Sequence, residues 1–256
     1  MDFTVTNLND AGVGSLRWAI GEANARSGFD QILFDSSLSG GTIALSADLE
    51  PLIDRVAIRG LVSDSSLAAV AIDCNGQKGL IFKGKNAKGS SLTGLAIGNA
   101  GGNGITLDAS EITIQNALIG VDLDGNTAMG NAGHGIYISE RSNRNLIGSL
   151  DPLTGIPLAQ QVSNVISANG GSGIHVDGSD NNRIANNRIG TNIDGSGDLG
   201  NAGHGITLTT RADQNVIGGA ANSGNDPTKG EFARPGQGNL ISGNGGSGVL
   251  IAKRSS

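Results

Sequence analysis

The sequence predicts an all-β protein: a single-stranded, right-handed parallel β-helix of about nine to ten rungs with an N-terminal capping α-helix. The first observation is that 43 of the 256 residues are Gly, more than twice the usual share of roughly 7%, and that Asn is also frequent. These two residues enter left-handed backbone conformations most cheaply. The second is the regular recurrence of Ile, Leu and Val, which can fill a long core. Short strands joined by frequent turns are typical of all-β proteins.

The third observation is a strong internal repeat. Residues 131–136 read N-A-G-H-G-I, and residues 201–206 read the same, seventy positions later. N-L-I-G at Asn145 matches N-V-I-G at Asn215 at the same offset. Within one such unit, a G-I-x-L strand and an N-x-I strand recur about three times, so the pattern predicts rungs of about 23 residues that contact only their neighbours.

Alternation along the strands predicts which side chains face the core. In the strand around His175, Ile174 and Val176 face inward while His175 faces solvent, and Arg183 also faces solvent. Asparagine recurs at one place in successive rungs, which predicts a ladder of stacked amides at one corner. The asparagines concerned are Asn145, Asn164, Asn182, Asn215 and Asn239.

The N-terminal region departs from the repeat. Leu16, Ala19, Ile20 and Ala23 have the spacing of one apolar helix face, and Ser15 is a suitable N-cap. Because the first rung of a solenoid exposes an open edge, we expect this helix, ending near Gly28, to cover the N-terminal end with Trp18 at its rim. The strands predicted next are Gln31–Phe34, Thr42–Leu45, Val56–Ile58 and Val70–Ile72.

The organisation predicts one domain over residues 1–256. Residues 1–40 form the cap and first strands, 41–98 the early rungs and 99–256 the regular repeats. The sequence opens with a strand-like alternation and stops partway through a repeat, so we expect a fragment of a longer protein. An uncovered last coil predicts self-association, or fraying, at the C-terminal end.

Composition excludes several classes of function. The formal net charge of -6 argues against a nucleic-acid partner, which requires a basic surface. No apolar run approaches the roughly 18 residues of a membrane-spanning helix, so no membrane insertion is predicted. Cys74 is the only cysteine, so no intramolecular disulfide can form, and it is predicted to be a small buried hydrophobe.

The stretch T-V-T-N-L-N-D-A-G-V-G-S-L-R-W-A-I-G-E-A-N resembles the C-S-L-R-E-A-I entry motif of bacterial parallel β-helix repeat proteins with the pectate-lyase-like fold. Gly14 stands where the motif has Cys, and Trp18 where it has Glu. Members occur in very large secreted or surface polypeptides, so the resemblance implies an extracellular or cell-surface location. It implies little about activity, because the same solenoid carries adhesins, stalks, lyases, hydrolases and epimerases.

Two histidines are candidates for catalysis. His134 and His204 lie in G-H-G, a triplet that carries a working histidine in polygalacturonase-type hydrolases. Those enzymes also need paired carboxylates, and the sequence has no Asp-Asp pair, no N-T-D and no R-I-K. We interpret both histidines as turn residues and assign no catalytic residue.

A calcium loop is suggested by Asp122, Asp124 and Asn126. An EF-hand loop needs Gly at position six and a bidentate Glu at position twelve, but here Gly125 comes at position four. Asp-Gly is also a favoured turn pair. No cofactor or metal site is therefore predicted, and calcium is kept as the alternative.

Arginines are the candidate binding residues. Arg141 and Arg211 align at the seventy-residue offset, with Arg144 nearby, and a separation of three rungs would place the aligned pair roughly 14 Å apart on one face. Such a row can bind an acidic glycan through charge-assisted hydrogen bonds, and the alternative is a solvated surface. Arg234, in the long loop 219–238, is the fourth candidate.

The first functional hypothesis is a non-catalytic module of a bacterial secreted or cell-surface protein. It would act as a stalk, an adhesin or a scaffold that binds a polysaccharide or another surface protein. The alternative is an enzyme, a lyase, hydrolase or epimerase, that acts on an acidic polysaccharide at the loop face. An enzyme needs a converging acid/base constellation, which the sequence does not reveal.

Overall fold

The strands of this chain stack in three all-parallel sheets, which are here called A, B and C. The computed structural model describes residues 1–62, 68–149, 164–218 and 238–252. Strands are numbered in chain order. Sheet A contains β1 (Asp2–Val5), β2 (Asp30–Phe34), β4 (Val56–Arg59), β7 (Ser91–Thr93), β10 (Thr113–Gln115), β13 (Leu146–Gly148), β16 (Arg183–Ala185) and β19 (Val216–Ile217). Sheet B contains β3 (Gly41–Ala44), β5 (Val70–Asp73), β8 (Ala96–Gly98), β11 (Ala117–Ile119), β14 (Asn164–Ile166), β17 (Asn187–Ile189) and β20 (Leu240–Ile241). Sheet C contains β6 (Leu80–Lys83), β9 (Ile105–Asp108), β12 (Ile136–Ile138), β15 (Ile174–Asp177), β18 (Ile206–Thr209) and β21 (Val249–Ile251).

One coil is a strand of sheet A followed by one of sheet B and one of sheet C. Coil 2 is β4-β5-β6, and coils 3 to 7 follow in the same order, so that coil 7 is β19-β20-β21. Coil 1 has β2 and β3, and Leu52 takes the sheet C position through a parallel bridge to Phe82. This is the predicted parallel β-helix solenoid.

The predicted rung of about 23 residues, and with it the number of nine to ten rungs, is wrong. Ser91 pairs with Thr113 and Arg188 pairs with Leu240, so the distance along the sequence from one coil to the next varies between 22 and 52 residues. The seventy-residue repeat is therefore two coils with three strands each. The sequence-based prediction assigned two strands to each rung, whereas each coil contains three strands.

The helix was predicted correctly. It spans Leu16–Asn24, and Ser15 Oγ accepts a hydrogen bond from the backbone N–H of Trp18. Its buried residues are the predicted Leu16, Ala19, Ile20 and Ala23, and they join the core beside β1 and β2. Trp18 is partly buried and meets Phe3 edge-on at 6.2 Å. Two short 3₁₀ helices span Ser36–Leu38 and Lys85–Ala87.

Three asparagine ladders run along the solenoid, one at each corner. The ladder before sheet A contains Asn145, Asn182 and Asn215; the ladder where the chain enters sheet B contains Asn164, Asn187 and Asn239; the ladder before sheet C contains Asn131, Asn169, Asn201 and Asn244. Each side-chain amide except the last of its ladder donates to the Oδ1 of the asparagine in the next coil. The prediction of stacked amides is thus confirmed, but its five members belong to two corners, and the third ladder was missed.

An outer layer covers part of sheet B. Residues 121–129 and 191–199 each form a hairpin-like excursion, closed by the bridges Val121↔Ala128 and Thr191↔Asp198. Their apolar residues pack on the outward side chains of sheet B, such as Leu118 and Val165. The hairpins also touch each other, because the N–H of Ile193 donates to the carbonyl of Gly125 at 2.9 Å. The hairpins belong to coils 4 and 6, so this feature recurs every two coils, in step with the seventy-residue repeat.

Cys74 is buried, as predicted. Burial raises the pKa of its thiol to about 12, so it stays protonated in the folded protein. A protonated, inaccessible thiol is inert.

Candidate functional site

The outer face of sheet C carries a wall of connected polar side chains. His134 precedes β12, Tyr137 lies on β12, His175 and Asp177 lie on β15, and Thr209 lies on β18. They share one face because parallel pairing places Tyr137 opposite His175 and Asp177 opposite Thr209. We call these five residues the sheet C wall. All five are half-buried.

One continuous chain of hydrogen bonds joins them. His134 Nε2 lies 3.1 Å from His175 Nδ1, and His175 Nε2 lies 3.0 Å from Thr209 Oγ1. The Thr209 hydroxyl donates to Asp177 Oδ1 at 2.9 Å, and the Tyr137 hydroxyl donates to Asp177 Oδ2 at 3.0 Å. The hydrogen-bond network therefore ends on the Asp177 carboxylate, which accepts one bond at each oxygen.

A backbone amide fixes which atoms donate and which accept in this hydrogen-bond network. The N–H of Ser172 donates to His134 Nδ1 at 2.9 Å, so Nδ1 is an acceptor and the proton of neutral His134 sits on Nε2. His134 then donates to His175 Nδ1. The His175 proton in turn sits on Nε2 and is donated to Thr209. Each tautomer follows from the one before it.

The pKa of each titratable side chain in the sheet C wall is shifted further from 7 than its usual value. Burial, and secondarily the nearby His175, lower the pKa of His134 to about 4. Burial also lowers the pKa of His175. Hydrogen bonds from Thr210, Thr209 and Tyr137 lower the pKa of Asp177. Burial and the bond to Asp177 raise the pKa of Tyr137 to about 12. At neutral pH the wall thus carries neutral histidines, a neutral tyrosine and one carboxylate.

The two G-H-G histidines occupy equivalent turns and make the same bond. His204 Nδ1 accepts the backbone N–H of Ser247 at 2.8 Å, as His134 does from Ser172. Asn103 holds the same position in the coil before His134, since its Oδ1 accepts the backbone N–H of His134. Ser172 holds it in the coil between the two histidines, since its Oγ accepts the backbone N–H of His204. The interpretation of both histidines as turn residues agrees with this geometry. His134 additionally belongs to the wall.

A cleft of about 310 Å³ lies beside the wall, at the corner between sheets C and A. Its charged lining residues are Lys85, Lys88, Asp108, Glu140 and Arg141. We call it the corner cleft. Lys88 also lies 3.1 Å from Glu111. The fold thus joins a lysine segment and an arginine turn that are more than fifty residues apart in sequence.

The predicted arginines have different surroundings. Arg141 lines the corner cleft, while Arg144 lies 3.8 Å from Glu111. Arg211 is exposed in the equivalent turn of coil 6, two coils from Arg141 and hence roughly 10 Å away, instead of the predicted three rungs. Arg234 lies outside the described residues, as does most of its loop.

The residues of the suggested calcium loop bind their own hairpins. Asp122 Oδ1 accepts the N–H of Thr127 at 3.2 Å, Asp124 Oδ1 accepts that of Asn126 at 2.7 Å, and Asn126 Oδ1 accepts from Asn192 at 3.0 Å. These contacts make turns and join the two hairpins. Within the described ranges, no group of three or more His, Cys, Asp or Glu side chains could hold a metal ion.

Sequence inspection singled out His134 but missed its partners. Tyr137, Asp177 and Thr209 are separated from one another by 32 residues or more, and only the coil register brings them together. The available signal was the outward position of His175 in its strand, which lies one coil after the G-H-G of residues 133–135. Without the true coil length, that position could not be aligned with Tyr137.

Comparisons with known proteins add no family. The chain matches no protein-family model, and it matches no curated protein. Among the described residues, no helix has the length and apolar character needed to cross a membrane.

Proposed function

We propose that this chain is a non-catalytic β-helix module of a bacterial secreted or cell-surface protein, a stalk or adhesin that binds an acidic glycan at the corner cleft. The observation that carries the proposal is the meeting of Lys85, Lys88 and Arg141 around one cavity, on a chain with a net charge of -6. Such cations can bind sugar carboxylates through charge-assisted hydrogen bonds. Asp108 and Glu140 can accept from sugar hydroxyls in the same cleft.

The sheet C wall supports binding over catalysis. A general acid or base works best with a pKa near the operating pH, but the pKa values of His134, Tyr137 and Asp177 all lie further from neutrality than usual. Their proton positions are also set by mutual hydrogen bonds. The wall therefore offers fixed polar groups to the side of the cleft and little capacity for proton transfer.

The test is affinity electrophoresis of the whole chain in polygalacturonate, with dextran as the uncharged control polymer. We expect retardation in polygalacturonate only, weakening with salt because exposed charges are screened. Arg141→Ala and Lys85→Ala should each weaken it several-fold. Lys78→Ala is the matched control, because Lys78 pairs with Asp48 away from the cleft, and it should bind like the parent chain. Absence of retardation, or equal loss in all three variants, would overturn the site.

A parallel assay tests the enzymatic alternative. The same polymer is incubated with the chain and followed for new reducing ends and unsaturated products. The proposal expects none. Turnover that survives repurification and is lost in Asp177→Asn would make the sheet C wall an active site and reject the non-catalytic module.

A further inference from the structure

The backbone is strained at one corner of the solenoid. Twelve of the described residues other than Gly have a positive φ, and five of them are Asn, which enters this left-handed region more easily than most residues. Of the other seven, Ala168 lies between sheets B and C, and six lie between sheets C and A, at the corner of the cleft. We call these six the corner ridge: Glu111, Arg141, Arg144, Thr210, Arg211 and Gln214.

The fold does not require these residue types. Equivalent backbone hydrogen bonds place Glu111, Arg144, Asn181 and Gln214 at the same position after sheet C in four successive coils. Their φ values lie between 57° and 61°. Asn181 adopts this conformation with little strain, so an Asn would serve the backbone equally well in the other three coils. Three of the four positions instead carry a long polar or charged side chain.

The exposed arginines of the ridge are available to a ligand. Arg141, Arg144 and Arg211 are all exposed. In the described part of the chain, Arg141 and Arg211 form no ion pair, and Arg144 has only the distant contact with Glu111 at 3.8 Å. Strained backbone concentrates at functional sites, where the side chain contributes to function what the backbone loses in stability. The strain therefore marks this corner as a binding surface.

The row of cations is longer than the cleft. The cleft spans coils 2 to 4, from Lys85 to Arg141, whereas Arg211 follows sheet C of coil 6, about 19 Å from the turn of Lys85. In the turn between the arginines, the carboxylate of Asp180 accepts the backbone N–H of Asp213 at 2.8 Å. A ligand that contacts the whole row must be a chain that runs parallel to the solenoid axis.

We propose that the corner ridge extends the glycan site, and that the ligand is a linear acidic polymer running from the corner cleft along Arg144 and Arg211. Both arginines bind acidic groups of the polymer outside the cleft through charge-assisted hydrogen bonds. The inference rests on the proposed glycan binding, to which it adds the orientation of the ligand and two further binding residues. A short acidic oligosaccharide occupies the cleft alone.

The first test compares polygalacturonate with digalacturonate, each titrated into the whole chain by calorimetry. Arg144→Asn and Arg211→Gly should each weaken polymer binding several-fold and leave digalacturonate binding unchanged, whereas Arg141→Ala should weaken both. Lys78→Ala, the control for the loss of one cation, should change neither. Polymer affinity equal to that of the parent chain in both ridge variants would overturn the inference and leave the cleft site intact. No binding of either ligand would overturn the glycan site itself.

A second measurement tests whether the ridge is kept at the expense of stability. Arg144→Asn introduces the residue type of Asn181, and Arg211→Gly introduces that of Gly178 in the turn after coil 5. Each should raise the thermal midpoint by about 2–4 °C as the strain is relieved. Ala168→Gly relieves strain at another corner, so it should raise the midpoint and leave polymer binding unchanged. A lower midpoint in both ridge variants would show that the arginines stabilise the fold and would overturn the inference.

Discussion

The side chain of Asn103 accepts a hydrogen bond from the backbone N–H of His134 at 2.9 Å, and the His134 imidazole makes the same bond to the next coil. An amide and an imidazole are therefore interchangeable at this corner, because each offers one acceptor to a backbone N–H. The bond also connects the corner to the sheet C wall, since it positions the imidazole that donates to His175.

The first prediction concerns this position. Replacing both His134 and His204 by Asn should leave the fold and any binding intact, because Asn103 already fills the role. Replacing His134 by Ala should cost about 1–3 kcal/mol, since the N–H of buried Ser172 loses its acceptor. Urea denaturation measures both. Equal destabilisation by Asn and Ala would show that the imidazole contributes through packing instead.

The second prediction is a pH dependence of stability. The pKa of His134 is lowered by burial to about 4 in the folded protein, against about 6.5 when unfolded. Between these values the unfolded chain binds the proton more readily, so stability is full above pH 6.5 and falls as the pH drops toward 4. The urea midpoint should show this decrease. The difference between the parent chain and His134→Asn isolates it from carboxylate titrations, and parallel curves would contradict the lowered pKa.

The third prediction concerns the asparagine ladders. Asn169 is buried and bonds the coils on both sides of it, so Asn169→Ala should cost about 2–4 kcal/mol by leaving several polar groups unpaired. The matched variant is Asn244→Ala in the last coil of the same ladder, where one side is open and the cost should be smaller. Equal costs would show that the ladder does not act through its inter-coil bonds.

The fourth prediction tests the N-terminal helix. Leu16→Asp or Ile20→Asp should destabilise the chain by several kcal/mol, because each would bury an unpaired charge against the first strands. Ala25→Asp, at the exposed end of the same helix, is the control and should have little effect. Unchanged melting of Leu16→Asp would mean that the helix does not cover the core.

The sequence by itself determined the strands, the helix face and the turns, which depend on local pattern. The alternation around Val56 and Val70 located strands to within one or two residues, and the spacing of Leu16 and Ile20 located the helix face, because strand and helix periodicities are properties of the backbone. The seventy-residue repeat likewise showed a solenoid. Gly and Asn marked the turns, as at Asn181 and Asn186, which have positive φ.

Only the tertiary structure decided how many strands make a coil. That number depends on where the chain closes on itself, which rests on contacts between residues such as Ile147 and Ile184, 37 positions apart, and leaves no local trace. The candidate sites follow from the same closure. Tyr137 binds Asp177, and Lys85 and Arg141 line one cleft, because coils of unequal length still stack in register.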